Sequence, residues 1–474
     1  MAKKKVLEAK SLWFRYPNSS WILRSLDLDV YEGETILVIG RSGCGKTTLI
    51  RAIMGIGTNI YGGEIRGTIA IDGKMLEDYS IEELRKVIQI VNQDPRTHFI
   101  YPHVYEDLYS YSLQIYGDRK KAEEALDTVS SSLKIKHILN RLYFELSGGE
   151  LRRVAIAKAM LSKPKIIIFD EPLMWLDDIG VKDFLDTLAR LKSSGITIVI
   201  FEHRFIPLMN FVDRVQKFSN GSIKEVPLDT FRKSYLIQSE NRVASIGRST
   251  PGGREVAIID SVWFRYDSNT VLKNISIRIN ENDAIAIYGY NGSGKSTLLK
   301  VIAGYLKPQR GSVKRFGKAI YIPQLVSLFF TEESVELELK NICRNSKDSK
   351  KCYSNGYSIL KKYGFDDLMQ TPFTLSWGQQ EKLAVALSLA AGFNIFLLDE
   401  PFSGLTYTDR IALIEYLETV PGAKIVTISS SDSIPLLKGF KLYKLDNGSL
   451  IEYTSSSKAL HSIDLDIITT IYSD

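Results

Sequence analysis

The sequence predicts an α/β chain built from two copies of one unit, each a mainly parallel sheet flanked by helices and accompanied by an antiparallel subsheet. Three repeated stretches carry this reading. LWFRY at 12–16 returns as VWFRY at 262–266, SLDLDVYEGETILVIGRSGCGKTTL returns as NISIRINENDAIAIYGYNGSGKSTL, and IIIFDEP at 166–172 returns as IFLLDEP at 395–401. A repeat that fills half of 474 residues means two domains, since one hydrophobic core does not grow to that size. The boundaries are placed at 1–233 for the first domain, 234–254 for a linker and 255–474 for the second.

Taken in order, each half opens with strands that alternate apolar and polar residues, as in TIAID, which fits an antiparallel sheet with one solvated face. Short β-branched runs then alternate with helical patterns, as parallel strands with crossover helices do. The copies differ in one spacing: 47 residues separate Lys46 from Gln93, but 29 separate Lys295 from Gln324. The second copy therefore lacks a segment like GTIAIDGKMLEDYSIEELRK. Between the halves, SYLIQSENRVASIGRSTPGGR has no apolar period and ends in Pro-Gly-Gly, a linker composition. The lysine-rich RNSKDSKK near residue 350 reads as a solvated loop.

Composition narrows the class further. Hydrophobic residues make up 44% and charged residues 24%, a folded rather than disordered balance, and a formal charge of +6 is no nucleic-acid signature without clustering. Cys44, Cys343 and Cys352 form neither a disulfide framework nor paired metal ligands, which fits a reducing cytosol. The opening MAKKKVLEAK has no apolar run behind its lysines, so neither a signal peptide nor an anchor is expected. LAVALSLAAGFNIFLL at 383–398 is too short for a membrane span, and Gly392 and Asn394 mark a helix handing over to a buried strand.

The chemistry lies in motifs at fixed places. Gly40-RSGC-Gly45-Lys46-Thr47 and Gly289-YNGS-Gly294-Lys295-Ser296 both match G-x-x-x-x-G-K-[ST] after an apolar strand, the phosphate loop of P-loop NTPases. Glycines let the backbone curl around a phosphate, so the loops with Ser42, Gly43, Thr48, Asn291, Gly292 and Thr297 are expected to hold ATP. Thr47 and Ser296 would bind Mg²⁺. Strands ending in Asp170-Glu171 and Asp399-Glu400 add a carboxylate for the hydrated Mg²⁺ and a glutamate to orient or deprotonate water, though an acidic pair after a strand is also a common turn.

With LSGGE at 146–150 and LSWGQ at 375–379, each 23 residues before its Asp-Glu strand end when counted from serine to aspartate, the set resembles the nucleotide-binding domains of ABC ATPases over nearly the whole chain. The resemblance implies a helical subdomain opened by each pentapeptide. It also implies further roles: Gln93 and Gln324 as Mg²⁺-sensing loop glutamines, Tyr16 and Tyr266 as adenine-stacking aromatics, and Asp177 in the loop after DEP. His203 matches the switch histidine. In that family two domains pack head to tail, so Ser147, Gly148 and Gly149 would close on the ATP of the second loop, and Ser376 and Gly378 on that of the first.

The second copy departs from the pattern. Trp377 replaces a glycine, Thr406 stands for Asp177, and residues 429–432 contain no histidine. Either the indole turns away and the phosphate contacts survive, or it overpacks at a cost of about 1–3 kcal/mol. Both sites are expected to bind MgATP and to turn over at different rates, with the Lys46 site the faster.

QDPRTHFIYPHVYEDL and QLVSLFFTEESVELEL share Phe99/Phe330, Val104/Val335 and Leu108/Leu339, similar to ATPases of energy-coupling-factor importers, although a core role fits the same positions. That resemblance implies vitamin or metal-ion uptake, with a membrane coupling subunit and a substrate-binding membrane subunit as partners, no nucleic acid, and a cytoplasmic place on the inner face of the membrane. A tandem ATPase of a sugar importer shares most motifs. So does a soluble ABC translation factor, which usually carries a longer, charged helical linker.

Overall fold

A computed structural model describes residues 3–40, 43–229, 253–344 and 348–453. It divides into two compact units, Met1–Tyr235 and Leu236–Asp474. Residues 234–252 of the expected linker and the tail after Tyr453 lie outside the described residues.

In the first unit β1 (Lys5–Arg15), β2 (Leu23–Tyr31), β3 (Thr35–Ile39), β4 (Glu64–Ile71) and β5 (Lys74–Met75) are followed by β6 (Ile88–Val91), β7 (Ile166–Asp170), β8 (Thr197–Phe201), β9 (Arg214–Ser219) and β10 (Ser222–Val226). They form an antiparallel sheet, β2-β1-β4-β5, and a six-stranded sheet, β10-β9-β3-β8-β7-β6. In the larger sheet every pair is parallel except β9 with β10. Strands β7 (IIIFD) and β8 (TIVIF) are buried at every position, the continuous apolar run expected when both faces are covered.

Strand β3 shows how the layers are held. Its side chains alternate, so Ile36 and Val38 enter the core shared with the antiparallel sheet, and Leu37 enters the core shared with the helices Val104–Tyr116, Arg119–Ser132 and Gly148–Met160. Fully burying each such side chain stabilises the fold by about 1.5–3 kcal/mol. The strand is thereby pinned from both faces, and the loop that follows it starts from a fixed point.

The second unit repeats the plan with β11 (Glu255–Tyr266), β12 (Asn269–Asn280), β13 (Ala284–Tyr288), β14 (Arg310–Arg315), β15 (Ala319–Ile322), β16 (Ile395–Leu398), β17 (Ala423–Ile428), β18 (Lys441–Asp446) and β19 (Ser449–Glu452). Their order is β12-β11-β14 and β15-β16-β17-β13-β18-β19. The shorter spacing is explained: β14 keeps the place of β4 beside the first strand of the unit, and what is missing is β5 with the helix Ile81–Val87. The 383–398 stretch is a helix ending at Ala390 and the buried strand β16.

Two expectations are corrected. Cys343 and Cys352 form a disulfide, with Cα atoms 5.6 Å apart, joining the end of the helix Val335–Cys343 to the first turn of Ser349–Lys362. Two helices meeting at a short connection bring the sulfurs together, which spacing alone does not show, so the cysteines no longer point to a reducing compartment. Part of the lysine-rich stretch is helix rather than loop, because Asp348 accepts the Lys351 N–H at 3.0 Å and caps the helix that begins at Ser349; residues 345–347 lie outside the described residues. Among the described residues no helix is long and apolar enough to cross a membrane.

Candidate active site

Each phosphate loop leaves the end of a central strand and runs into a helix, Lys46–Ile53 in the first unit and Lys295–Ala303 in the second. Gly43 and Gly45 have φ of +74° and +111°, and Gly292 and Gly294 have +79° and +102°, a region that L side chains avoid. Space is also tight. A Cβ on Gly45 would lie 3.0 Å from Ile22 Cγ2, and one on Gly294 would lie 2.7 Å from Val271 Cγ1. Lys46 Nζ donates to Gly40 O at 2.9 Å, and Lys295 Nζ donates to Gly289 O at 2.7 Å and Tyr290 O at 3.1 Å, so both ammonium groups sit inside their loops. Ser42 lies outside the described residues.

The acidic strand ends face these loops. Thr47 Oγ1 donates to Asp170 Oδ2 at 3.2 Å, placing the expected hydroxyl and carboxylate for Mg²⁺ side by side. Glu171 Oε1 is 3.5 Å from Lys46 Nζ, and Glu400 Oε1 is 3.2 Å from Lys295 Nζ. Both glutamates adopt left-handed backbone, φ +47° and +50°, a conformation that costs about 1–3 kcal/mol. Open glycine cradles with an enclosed lysine, and a hydroxyl paired to a carboxylate, fit a nucleoside triphosphate and its Mg²⁺.

The two glutamates differ in their partners. Gln93 Nε2 donates to Glu171 Oε2 at 2.9 Å, and His203 Nδ1 lies 3.5 Å from Glu171 Oε1, so loop glutamine, glutamate and histidine meet at one point. Gln324 makes no such bond to Glu400. Instead, Ser429 donates its N–H at 2.9 Å and its hydroxyl at 3.0 Å to Glu400 Oε2. Register shows the equivalence: Val38 pairs with Phe201 in the first unit and Ile287 with Thr427 in the second, so Ser429 stands where His203 stands. Sequence reading missed this serine. It is one of three serines in a row, and only the strand register singles it out.

Electrostatics follow these contacts. Burial alone would raise the Glu171 carboxyl, but His203 and Lys46 hold it below the usual carboxylate range. Burial pushes Glu400 upward, and Lys295 only partly opposes it. Asp170 is pushed up to about 6 by burial and by the neighbouring Glu171.

Both pentapeptides open a helix. Ser147 caps Gly148–Met160, its Oγ accepting the Glu150 N–H at 3.3 Å while Glu150 Oε2 accepts the Ser147 N–H at 2.8 Å. In the second unit the Ser376 N–H donates to Gln379 Oε1 at 3.0 Å at the start of Trp377–Ala390. Trp377 does not overpack. Its ring lies against the core of its own unit, and the equivalent Gly148 has nothing within 4 Å of a Cβ, so a side chain fits at this helix start. One turn on, Glu381 stands for Arg152 and is 1% exposed. Neither its oxygens nor the Trp377 indole nitrogen makes a hydrogen bond of standard geometry.

Burial pushes Glu381 well above the usual carboxylate range, with the nearby indole N–H only partly opposing. Its folded-state value exceeds its unfolded one, near 4.3, so its stabilising contribution is complete below that pH and is lost as pH rises towards the folded value. Glu381→Gln is therefore expected to raise the melting temperature of the second unit more at pH 8 than at pH 5, read by calorimetry at both.

The remaining predicted residues are placed as follows. Tyr16 receives a hydrogen bond from Arg51 Nη1 at 3.0 Å, and Tyr266 is exposed at the end of β11. Asp177 accepts the Gly180 N–H at 2.8 Å and caps Asp178–Ser193; Thr406 accepts the Asp409 N–H at 3.2 Å and caps Tyr407–Thr419 in the same way. Val104, Leu108, Val335 and Leu339 are fully buried, so the core role holds for them.

Two P-loop nucleoside-triphosphatase units in tandem are the class that this fold and these sites define. The ABC transporter family profile matches residues 23–174 and 272–403. A putative ABC transporter ATP-binding protein of Treponema denticola is 32% identical over 429 residues, covering 84% of this chain and 86% of its own length. Another, from Sulfurisphaera tokodaii, is 30% identical over 470 residues, covering 94% and 97%. Among solved structures, RNase-L inhibitor superposes with a TM-score of 0.65 at 23% identity, covering 96% of this chain and 93% of its own. An archaeal ribosome recycling factor, solved with ribosomal stalk protein aP1, gives 0.66 at 22%, covering 95% and 92%. The two structures share the tandem fold. The chain belongs to the ABC transporter ATP-binding family, and it is an ATPase that uses ATP with Mg²⁺.

Proposed function

We propose that this ATPase is the energy-coupling subunit of a membrane importer of the energy-coupling-factor type, taking up a vitamin or a metal ion. Its domains are 1–233 and 255–474, joined by 234–254. Head-to-tail pairing of these halves makes two composite sites, with Ser147, Gly148, Gly149 and Asp177 facing the Lys295 loop and Ser376 and Gly378 facing the Lys46 loop. Thr47, Asp170 and Gln93 would hold Mg²⁺ in one site and Ser296, Asp399 and Gln324 in the other, where a bound ion would supply positive charge against the phosphates. Glu171 and Glu400 take the proton of the attacking water, and His203 assists at the first site.

The observation that carries the import reading is a matched apolar surface near each glutamine loop. Phe144 is 67% exposed and the equivalent Phe373 53%, on the turn just before each pentapeptide, with Ile100 and Leu328 exposed on the segments after the glutamines. Phe99, stacked on Tyr143 at 5.0 Å, and Phe330, edge-on to Phe373 at 6.4 Å, support these patches from beneath. Apolar surface repeated at one place on two units suits a partner with two similar apolar segments, as a membrane coupling subunit would present on the inner face of the membrane. The shared family name of the relatives agrees. Affinity capture from detergent-solubilised membranes is expected to recover a small polytopic protein, and Phe144→Asp with Phe373→Asp to lose it. Recovery of ribosomes instead contradicts this function.

A further inference from the structure

Asp170 and Asp399 occupy equivalent strand ends, yet their side chains are held differently. In the first unit the β6 position paired with the residue two before Asp170 is Ile90, and the β8 position paired with Asp170 itself is Phe201, both apolar. The same register in the second unit puts Tyr321 on β15 and Thr427 on β17. Tyr321 Oη donates to Asp399 Oδ2 at 2.8 Å, and Thr427 Oγ1 donates to Oδ1 at 2.8 Å. Thr427 Oγ1 in turn accepts the Glu400 N–H at 2.9 Å. The Tyr321 ring is itself fixed, with Lys300 of the phosphate-loop helix 5.5 Å from its centroid and Tyr305 edge-on at 6.0 Å.

From this geometry we infer that Tyr321 is a positioning residue of the second ATP site, setting the Asp399 carboxylate, together with Thr427, in the orientation that receives Mg²⁺. Each carboxylate oxygen has two lone-pair directions, so one hydroxyl on each leaves the other direction for the metal's hydration shell. A carboxylate fixed in advance loses less freedom when the ion arrives, and the ligands of a metal site depend on such outer partners. Among the described residues Asp170 has no such pair of braces and receives only the Thr47 hydroxyl. The two sites therefore differ in metal affinity as well as in turnover, with the second gripping Mg²⁺ with nucleotide more tightly.

The inference rests on Asp399 being the Mg²⁺ carboxylate, and the test separates the two. In full-length chain carrying Lys46→Ala to silence the first loop, ATP binding is measured by titration calorimetry with EDTA and at a series of Mg²⁺ concentrations. Tyr321→Phe is expected to raise the Mg²⁺ concentration for half-maximal tightening about tenfold, in line with the loss of an outer-shell partner, and to leave metal-free ATP affinity unchanged. Thr427→Val, acting on the other oxygen, is expected to shift the same quantity in the same direction. No shift in either variant, or equal losses with and without Mg²⁺, overturns the positioning role. Asp399→Asn is expected to abolish the Mg²⁺ dependence altogether; if it does not, the assignment of the carboxylate fails instead.

Discussion

Glu171→Gln is expected to lower the steady-state ATP turnover of the full chain about a hundredfold, and Glu400→Gln less than about fivefold, since a positioned base typically contributes 10²–10⁴. An amide cannot accept the proton of water. Unequal effects follow from the surroundings of the two carboxylates. Glu171 is kept ionised by Lys46 and His203, ready to accept a proton. Glu400 is driven towards its protonated form by burial, and its Oε2 is already occupied by both donors of Ser429. Under the proposed head-to-tail pairing, the substitutions in the second unit's pentapeptide and following loop are expected to cost the first site little, because Trp377 packs within its own unit and Thr406 caps its helix as Asp177 does. Phosphate release at saturating MgATP, with nucleotide binding checked separately, measures both variants. Equal losses would remove the asymmetry.

The largest effect on stability is expected at Asp107, where Asp107→Ala should destabilise the first unit by about 3–5 kcal/mol, the usual result of breaking a buried ion pair from one side. Asp107 is 2% exposed, and its Oδ2 lies 2.8 Å from Lys158 Nζ. Its other oxygen accepts the N–H groups of Ile100 at 2.8 Å and Tyr101 at 3.2 Å, so it also shapes the segment bearing exposed Ile100. The second unit does this differently. Glu338 takes the backbone N–H groups of Thr331 and Glu332, and Leu387 stands in place of the lysine. Adding Lys158→Leu to Asp107→Ala is therefore expected to recover much of the loss by removing the stranded cation. Urea unfolding of the single and double variants measures this, and a loss below about 1 kcal/mol for Asp107→Ala would show the pair to be screened by solvent.

Local motifs were the legible part of this protein. A phosphate loop is a run of eight residues whose backbone demands fix their types, and β7 and β16 announce themselves by continuous apolar runs. What stayed hidden depends on register between distant strands. Ser429 is one of three consecutive serines, and only the pairing of β13 with β17 identifies it as the residue on Glu400. Tyr321 reads as an ordinary strand aromatic until β15 lies beside β16. The Cys343–Cys352 link and the Asp348-capped helix were hidden for a related reason: both depend on how one helix meets the next. Trp377 was visible as an anomaly, but the direction its ring takes is decided by the open space at the helix start.

The central claim is that each pentapeptide serine serves the phosphate loop of the other unit. Photocleavage by vanadate trapped with Mg²⁺ and ADP tests it directly, because an excited vanadate cuts the backbone beside the position of the terminal phosphate. In chain carrying Lys46→Ala, where only the second loop binds, irradiation is expected to cut at Ser147. Cleavage at Ser376, or confined to the residues around Lys295, contradicts the account.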